Sequence, residues 1–93
     1  MIKVIIVQEA GKYQVTVFGH AEDEKVCAGV SALYVALAET AKREGALSSF
    51  TEGADAQRCY IWRTKGMRRH MDMFRQGVSA IAREYPEHAR LEV

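Results

Sequence analysis

The sequence is poor in the residues that usually announce a specialised site. It has two cysteines, Cys27 and Cys59, and neither belongs to a CxxC pair, which excludes a disulfide framework. His20, His70 and His88 are scattered, with no HxxxH spacing beside them, so no metal and no cofactor are expected. No apolar run approaches the roughly 20 residues needed to span a bilayer. The opening "MIKVIIVQEAGKYQ" has an apolar stretch shorter than the hydrophobic region of a secretory leader, and charge follows it at once. A soluble, reduced, cytoplasmic protein is the expectation. Charge of one sign is also lacking: Lys and Arg number 13 against 12 Asp and Glu, for a net charge of +1. That balance gives no overall push towards nucleic acid or an anionic membrane, and neither is expected as a partner. The local cluster Lys65, Arg68 and Arg69 reads as solvated helix surface.

What is present suffices for one packed interior. The chain has 93 residues, 48% of them hydrophobic, and reads as a single domain over 1–93. "IKVIIV" at 2–7 is β-branched and apolar, as a covered strand would be. After a turn at Gly11, "KYQVTVFGH" alternates, with Tyr13, Val15 and Val17 on one face, so the two runs predict a β-hairpin. Val26, Val30, Leu33, Leu37 and Ala41 share a helical stripe within 26–44. Asp23 and Glu24 stand at its start and Gly45 at its end. Two short strands are predicted at 48–52 and 58–64 around a turn at 53–56. A second helix follows from the spacing of Met67, Met71, Phe74, Val78, Ile81 and Tyr85, closed by Pro86. "ARLEV" supplies a last strand. The order ββα-ββ-α-β predicts an α+β fold of two layers, a small, mostly antiparallel sheet with two helices packed on it.

One stretch carries chemistry. In "FGHAEDEKVCAGVSAL", residues 18–33, His20 closes a strand and Cys27 stands in the first turn of a helix. The positive end of a helix attracts a negative sulfur, and a nearby imidazole can take the thiol proton. First-turn amides could hold a developing oxyanion. Ser31 lies one turn beyond Cys27, on the same side. Spacing alone leaves a second reading open, in which Cys27 is a small buried hydrophobe and His20 merely bonds a loop. Cys59, beside Tyr60, Ile61 and Trp62, reads as a core residue. Met67, Met71 and Met73 read as core packing.

"GHA" closing a strand, followed by "VCAGVSAL" opening a helix, resembles the bacterial ribosomal-processing cysteine protease family. The likeness extends over the hairpin, the first helix and the "AREYPEH" helix end. The resemblance implies a small α+β homodimer acting as an endopeptidase. Its substrate would be the precursor of a large-subunit ribosomal protein, the twenty-seventh, from which it removes an N-terminal extension. It also implies that Cys27 is the nucleophile, His20 the general base and Ser31 a supporting residue. Two departures stand out. The connection "AEDEKV" is shorter than the family's glycine-bearing loop, and Glu24 stands where the family tends to carry aspartate. A protease for another protein, for example a prophage one, and a non-catalytic dimeric binding module of the same fold are the alternative readings.

Overall fold

The computed structural model describes all residues, 1–93. Strand β1 (Ile2–Glu9) and strand β2 (Lys12–Gly19) form the hairpin. Its turn depends on Gly11, whose φ of +77° is open to glycine and strained for a residue with a Cβ. Helix α1 spans Glu24–Arg43, strand β3 Leu47–Glu52, strand β4 Ala56–Trp62, helix α2 Lys65–Glu84 and strand β5 Ala89–Glu92. The five strands lie in the order β3-β4-β2-β1-β5. All neighbours are antiparallel except β1 and β5, which pair in parallel, as a strand returning through a helix allows. The expected ββα-ββ-α-β order and two-layer α+β architecture are borne out.

Alternation decides which face of the sheet is covered. Val4, Val15 and Ile61 point to the helices and are buried, as is Cys59. They meet Val26, Val30, Leu37 and Ala41 of α1, and Met67, Met71, Phe74 and Val78 of α2. The two helices approach closely where side chains are missing. A Cβ on Gly29 would stand 3.1 Å from Ile81, and one on Gly77 would stand 2.9 Å from Leu33. The opposite face of the sheet has no covering layer, and Val7, Phe18 and Trp62 are exposed on it. Of the three methionines read as core, Met67 and Met71 are buried, but Met73 points outward.

Both helices begin on the side-chain caps that their sequences offer. Asp23 caps α1, its carboxylate accepting the Lys25 amide at 2.9 Å, so the helix starts two residues before its first apolar position. Thr64 caps α2 by accepting the Met67 amide at 3.2 Å. Strand β4 begins two residues earlier than its apolar run suggests, because the ladder with β2 continues to the Phe18–Ala56 pair. That extension draws the β3–β4 turn alongside the end of β2.

Candidate active site

The end of β2 is built around Gly19. Its φ of +85° turns the chain sharply, and a Cβ there would stand 2.5 Å from the Met1 carbonyl oxygen, so only glycine fits without displacement. The Gly19 amide donates to the Asp55 carbonyl at 2.9 Å, which ties the end of β2 to the β3–β4 turn. His20 follows directly. Its Nε2 lies 3.6 Å from Oδ1 of Asp55, with both side chains largely exposed, at 71% and 78%. Water screens such a pair, so it orients the ring more than it stabilises the fold.

Cys27 lies one turn into α1 and is half-buried. The six residues from Ala21 fold back on it. The Ala21 amide donates to Sγ at 3.2 Å, and the thiol donates to the Ala21 carbonyl at 3.4 Å. This bracket holds the sulfur in one place. The thiol makes no hydrogen bond to His20.

His20, Cys27 and Ser31 nevertheless share one cavity of ≈ 100 Å³, whose other walls include Gly53, Asp55 and Gln57. The sequence-derived trio is therefore brought together in space. Asp55 and Gln57 were not anticipated, since the signal for them is the strand register, which places residues 53–57 beside Gly19.

One expectation from the sequence needs correcting. Three of the first-turn amides, those of Lys25, Val26 and Cys27, are already engaged and not free to hold an oxyanion. Those of Val26 and Cys27 both donate to the Asp23 carbonyl, at 3.1 and 3.3 Å, and that of Lys25 donates to the Asp23 side chain. Neutral donors at the cavity include the Ser31 hydroxyl and the Gln57 carboxamide, while the Ala21 amide rests on the sulfur.

Cys59, by contrast, has the surroundings of a structural thiol. It is fully buried, does not line the cavity, and lies against the Tyr34 phenol. Burial pushes its thiol up from the ordinary value, and the neighbouring Tyr34 hydroxyl only partly opposes this. Burial, with Cys59 beside it, likewise pushes the Tyr34 phenol well up. Both groups stay neutral. No group of three His, Cys, Asp or Glu side chains that could hold a metal ion is present, and no helix is long and apolar enough to cross a membrane.

The whole chain matches known structures of this shape. The ribosomal processing protease Prp from S. aureus, solved with a covalently linked product peptide, superimposes with a TM-score of 0.80 at 25% identity. The match covers 99% of this chain and 98% of that one. The fold is that of Prp. The same protease solved with a substrate peptide gives a TM-score of 0.76 at 22% identity, with the same coverage. SMU.848 from Streptococcus mutans gives 0.78 at 20% identity, covering 99% of this chain and 92% of its own. No family model matches the sequence, and no curated relative matches it. The resemblance read from "GHA" and "VCAGVSAL" thus extends to the full architecture, every strand and both helices included.

Proposed function

We propose that this chain is a cysteine endopeptidase of the ribosomal-processing type, with Cys27 as nucleophile and His20 as general base. The observation that carries the reading is the shared cavity: His20, Cys27 and Ser31 wall one small cleft in the fold of a peptide-cleaving protease. His20 takes the proton from Cys27 Sγ, and the thiolate attacks the scissile carbonyl. The oxyanion forms against the Ser31 hydroxyl and the Gln57 carboxamide, with the Ala21 amide beside the sulfur. His20 returns the proton to the leaving amine, and water then hydrolyses the thioester. Ser31 has the supporting role, that of a donor one turn past the nucleophile.

Asp55 extends the pair. Its carboxylate meets Nε2 of His20, which leaves Nδ1 as the ring nitrogen available to the sulfur. Because both groups are exposed, the expected effect of Asp55→Asn is modest: kcat falls about tenfold while KM is unchanged. A KM change of equal size with kcat intact would assign Asp55 to substrate binding instead.

The substrate in this reading is the N-terminal extension of the precursor of the twenty-seventh large-subunit ribosomal protein. The cellular setting is the cytoplasm and the acting species a homodimer. The uncovered sheet face, with Val7 and Phe18 exposed, offers apolar surface for the second copy. The short "AEDEKV" connection leaves a target outside the ribosome as the alternative substrate.

A second reading, a non-catalytic dimeric binding module, has one observation in its favour. The thiol is bonded to Ala21 and not to His20. Catalytic hydrogen bonds commonly tighten only when substrate is bound, so the resting geometry is compatible with turnover. Iodoacetamide at neutral pH separates the two. An activated Cys27 is expected to alkylate more than about tenfold faster in the parent than in the His20→Ala variant, with the modified site read by peptide mass. Equal, slow labelling of Cys27 in the parent and the variant would favour the binding module.

A further inference from the structure

At the end of the sheet opposite Cys27 lies a cavity of ≈ 610 Å³, formed by the ends of β1 and β4, the start of β2 and the first turns of α2. Four of its eight lining residues are cations, Arg63, Lys65, Arg68 and Arg75, and one, Asp72, is a carboxylate. Asp72 is already engaged by Arg75 at 3.4 Å, which leaves Arg63, Lys65 and Arg68 with no carboxylate within 4 Å. Glu44, which approaches the first turn of α2 at Gly66, is bonded to His70 at 2.6 Å. The first turn of α2 carries no acidic residue.

The cations are also held in place. The guanidiniums of Arg63 and Arg75 stand 5.7 and 5.9 Å from the centre of the buried Tyr13 ring, whose face attracts them. The Arg63 amide is fixed to the Gly11 carbonyl at 2.8 Å. Convergent like charges repel one another, and neither partner carboxylates nor an even spread over the surface relieves that repulsion here. An anion would relieve it. Arginine forks suit phosphate, and the cavity is large enough for linked phosphates, not a single ion. Exposed Arg69 continues the positive surface along α2.

We infer that this cavity binds the phosphodiester backbone of a nucleic acid, without reading its bases. The near-neutral total charge hides the site, because acidic residues elsewhere balance it. The eight residues of β2 separate the two ends of the sheet by about 24 Å, so backbone binding and occupancy of the Cys27 cavity do not compete.

Fluorescence anisotropy with labelled RNA and DNA strands of about 12 nucleotides tests the inference on the full chain. Saturable binding of both is expected, with log K falling as log salt rises, by about 0.7 for each phosphate contacted. The double variant Arg63→Gln, Arg68→Gln, whose side chains are exposed and whose fold is checked by circular dichroism, is expected to lower that slope by about 1.4 and to weaken binding at least about tenfold. Cys27→Ala is expected to bind as the parent does. Three outcomes would overturn the inference. These are no binding at about 50 mM salt, equal binding by the double variant, or competition by polyglutamate as effective as that by unlabelled RNA, which would mark an acidic-peptide site instead.

Discussion

Replacing Cys27 with alanine is expected to abolish peptide cleavage, by about 10⁴-fold or more, as deletion of a nucleophile does in other acyl-transfer hydrolases. The substitution removes the sulfur that attacks in the proposed mechanism and leaves no other thiol on the cavity wall to form the acyl-enzyme. Ser31 cannot take over, since it sits a full helical turn further on. Folding should survive. The side chain is only half-buried, and what is lost is a pair of sulfur hydrogen bonds to Ala21, together worth about 1 kcal/mol or less. The measurement is cleavage of the precursor ribosomal protein, followed by mass, beside a urea melt of the same preparation. Cleavage that persists in a folded Cys27→Ala protein would refute the mechanism. Loss of cleavage without any precursor specificity in the parent would keep the mechanism and redirect the search for the substrate.

The second large effect lies one residue before His20, the proposed base. Gly19→Ala should destabilise the fold by about 2–4 kcal/mol and remove activity even where the protein stays folded. Two costs add. An alanine at φ +85° bears the left-handed penalty of about 1–2 kcal/mol, and its Cβ would stand 2.5 Å from the Met1 carbonyl oxygen. Relief requires β1 or the end of β2 to move. Either shift disturbs the Gly19–Asp55 hydrogen bond and with it the His20–Asp55 alignment. The urea midpoint should fall with the slope unchanged, and activity should be missing at denaturant concentrations well below the new midpoint. A variant as stable and active as the parent would mean that the first peptide swings aside freely and that the turn does not position the base.

Much of this architecture is legible in the sequence for a simple reason. Helical and strand periods are local properties, and Val26, Val30 and Leu37, or Met67, Met71 and Val78, declare their faces without knowledge of what they pack against. The His20–Cys27–Ser31 grouping is nearly as local, since a turn and one helical step bring the three together. Asp55 is different. It lies 35 positions from His20, and only the register of β2 against β4 makes them neighbours. The engaged amides at the start of α1 escape a linear reading as well. Their partner is the carbonyl and carboxylate of a single residue, Asp23, and spacing gives no account of hydrogen-bond choice. The cationic cavity combines Tyr13 with Arg75, 62 positions apart, so a window over Lys65, Arg68 and Arg69 sees only a charged helix face.

The parallel pairing of β1 with β5 has a consequence for biosynthesis. Ile2 lines the cysteine cavity, and its amide is held by the His88 carbonyl at 2.9 Å, with the ladder continuing from Ile2–Ala89 to Ile5–Glu92. Strand β1 is therefore secured on one side by β5, which follows the second helix. A growing chain that already carries His20, Cys27 and Asp55 still lacks the strand that fixes one wall of the cleft. During synthesis β1 gains its outer neighbour only once residues 89–92 have been made, so the cleft wall that Ile2 supplies is completed after the residues that carry its side chains.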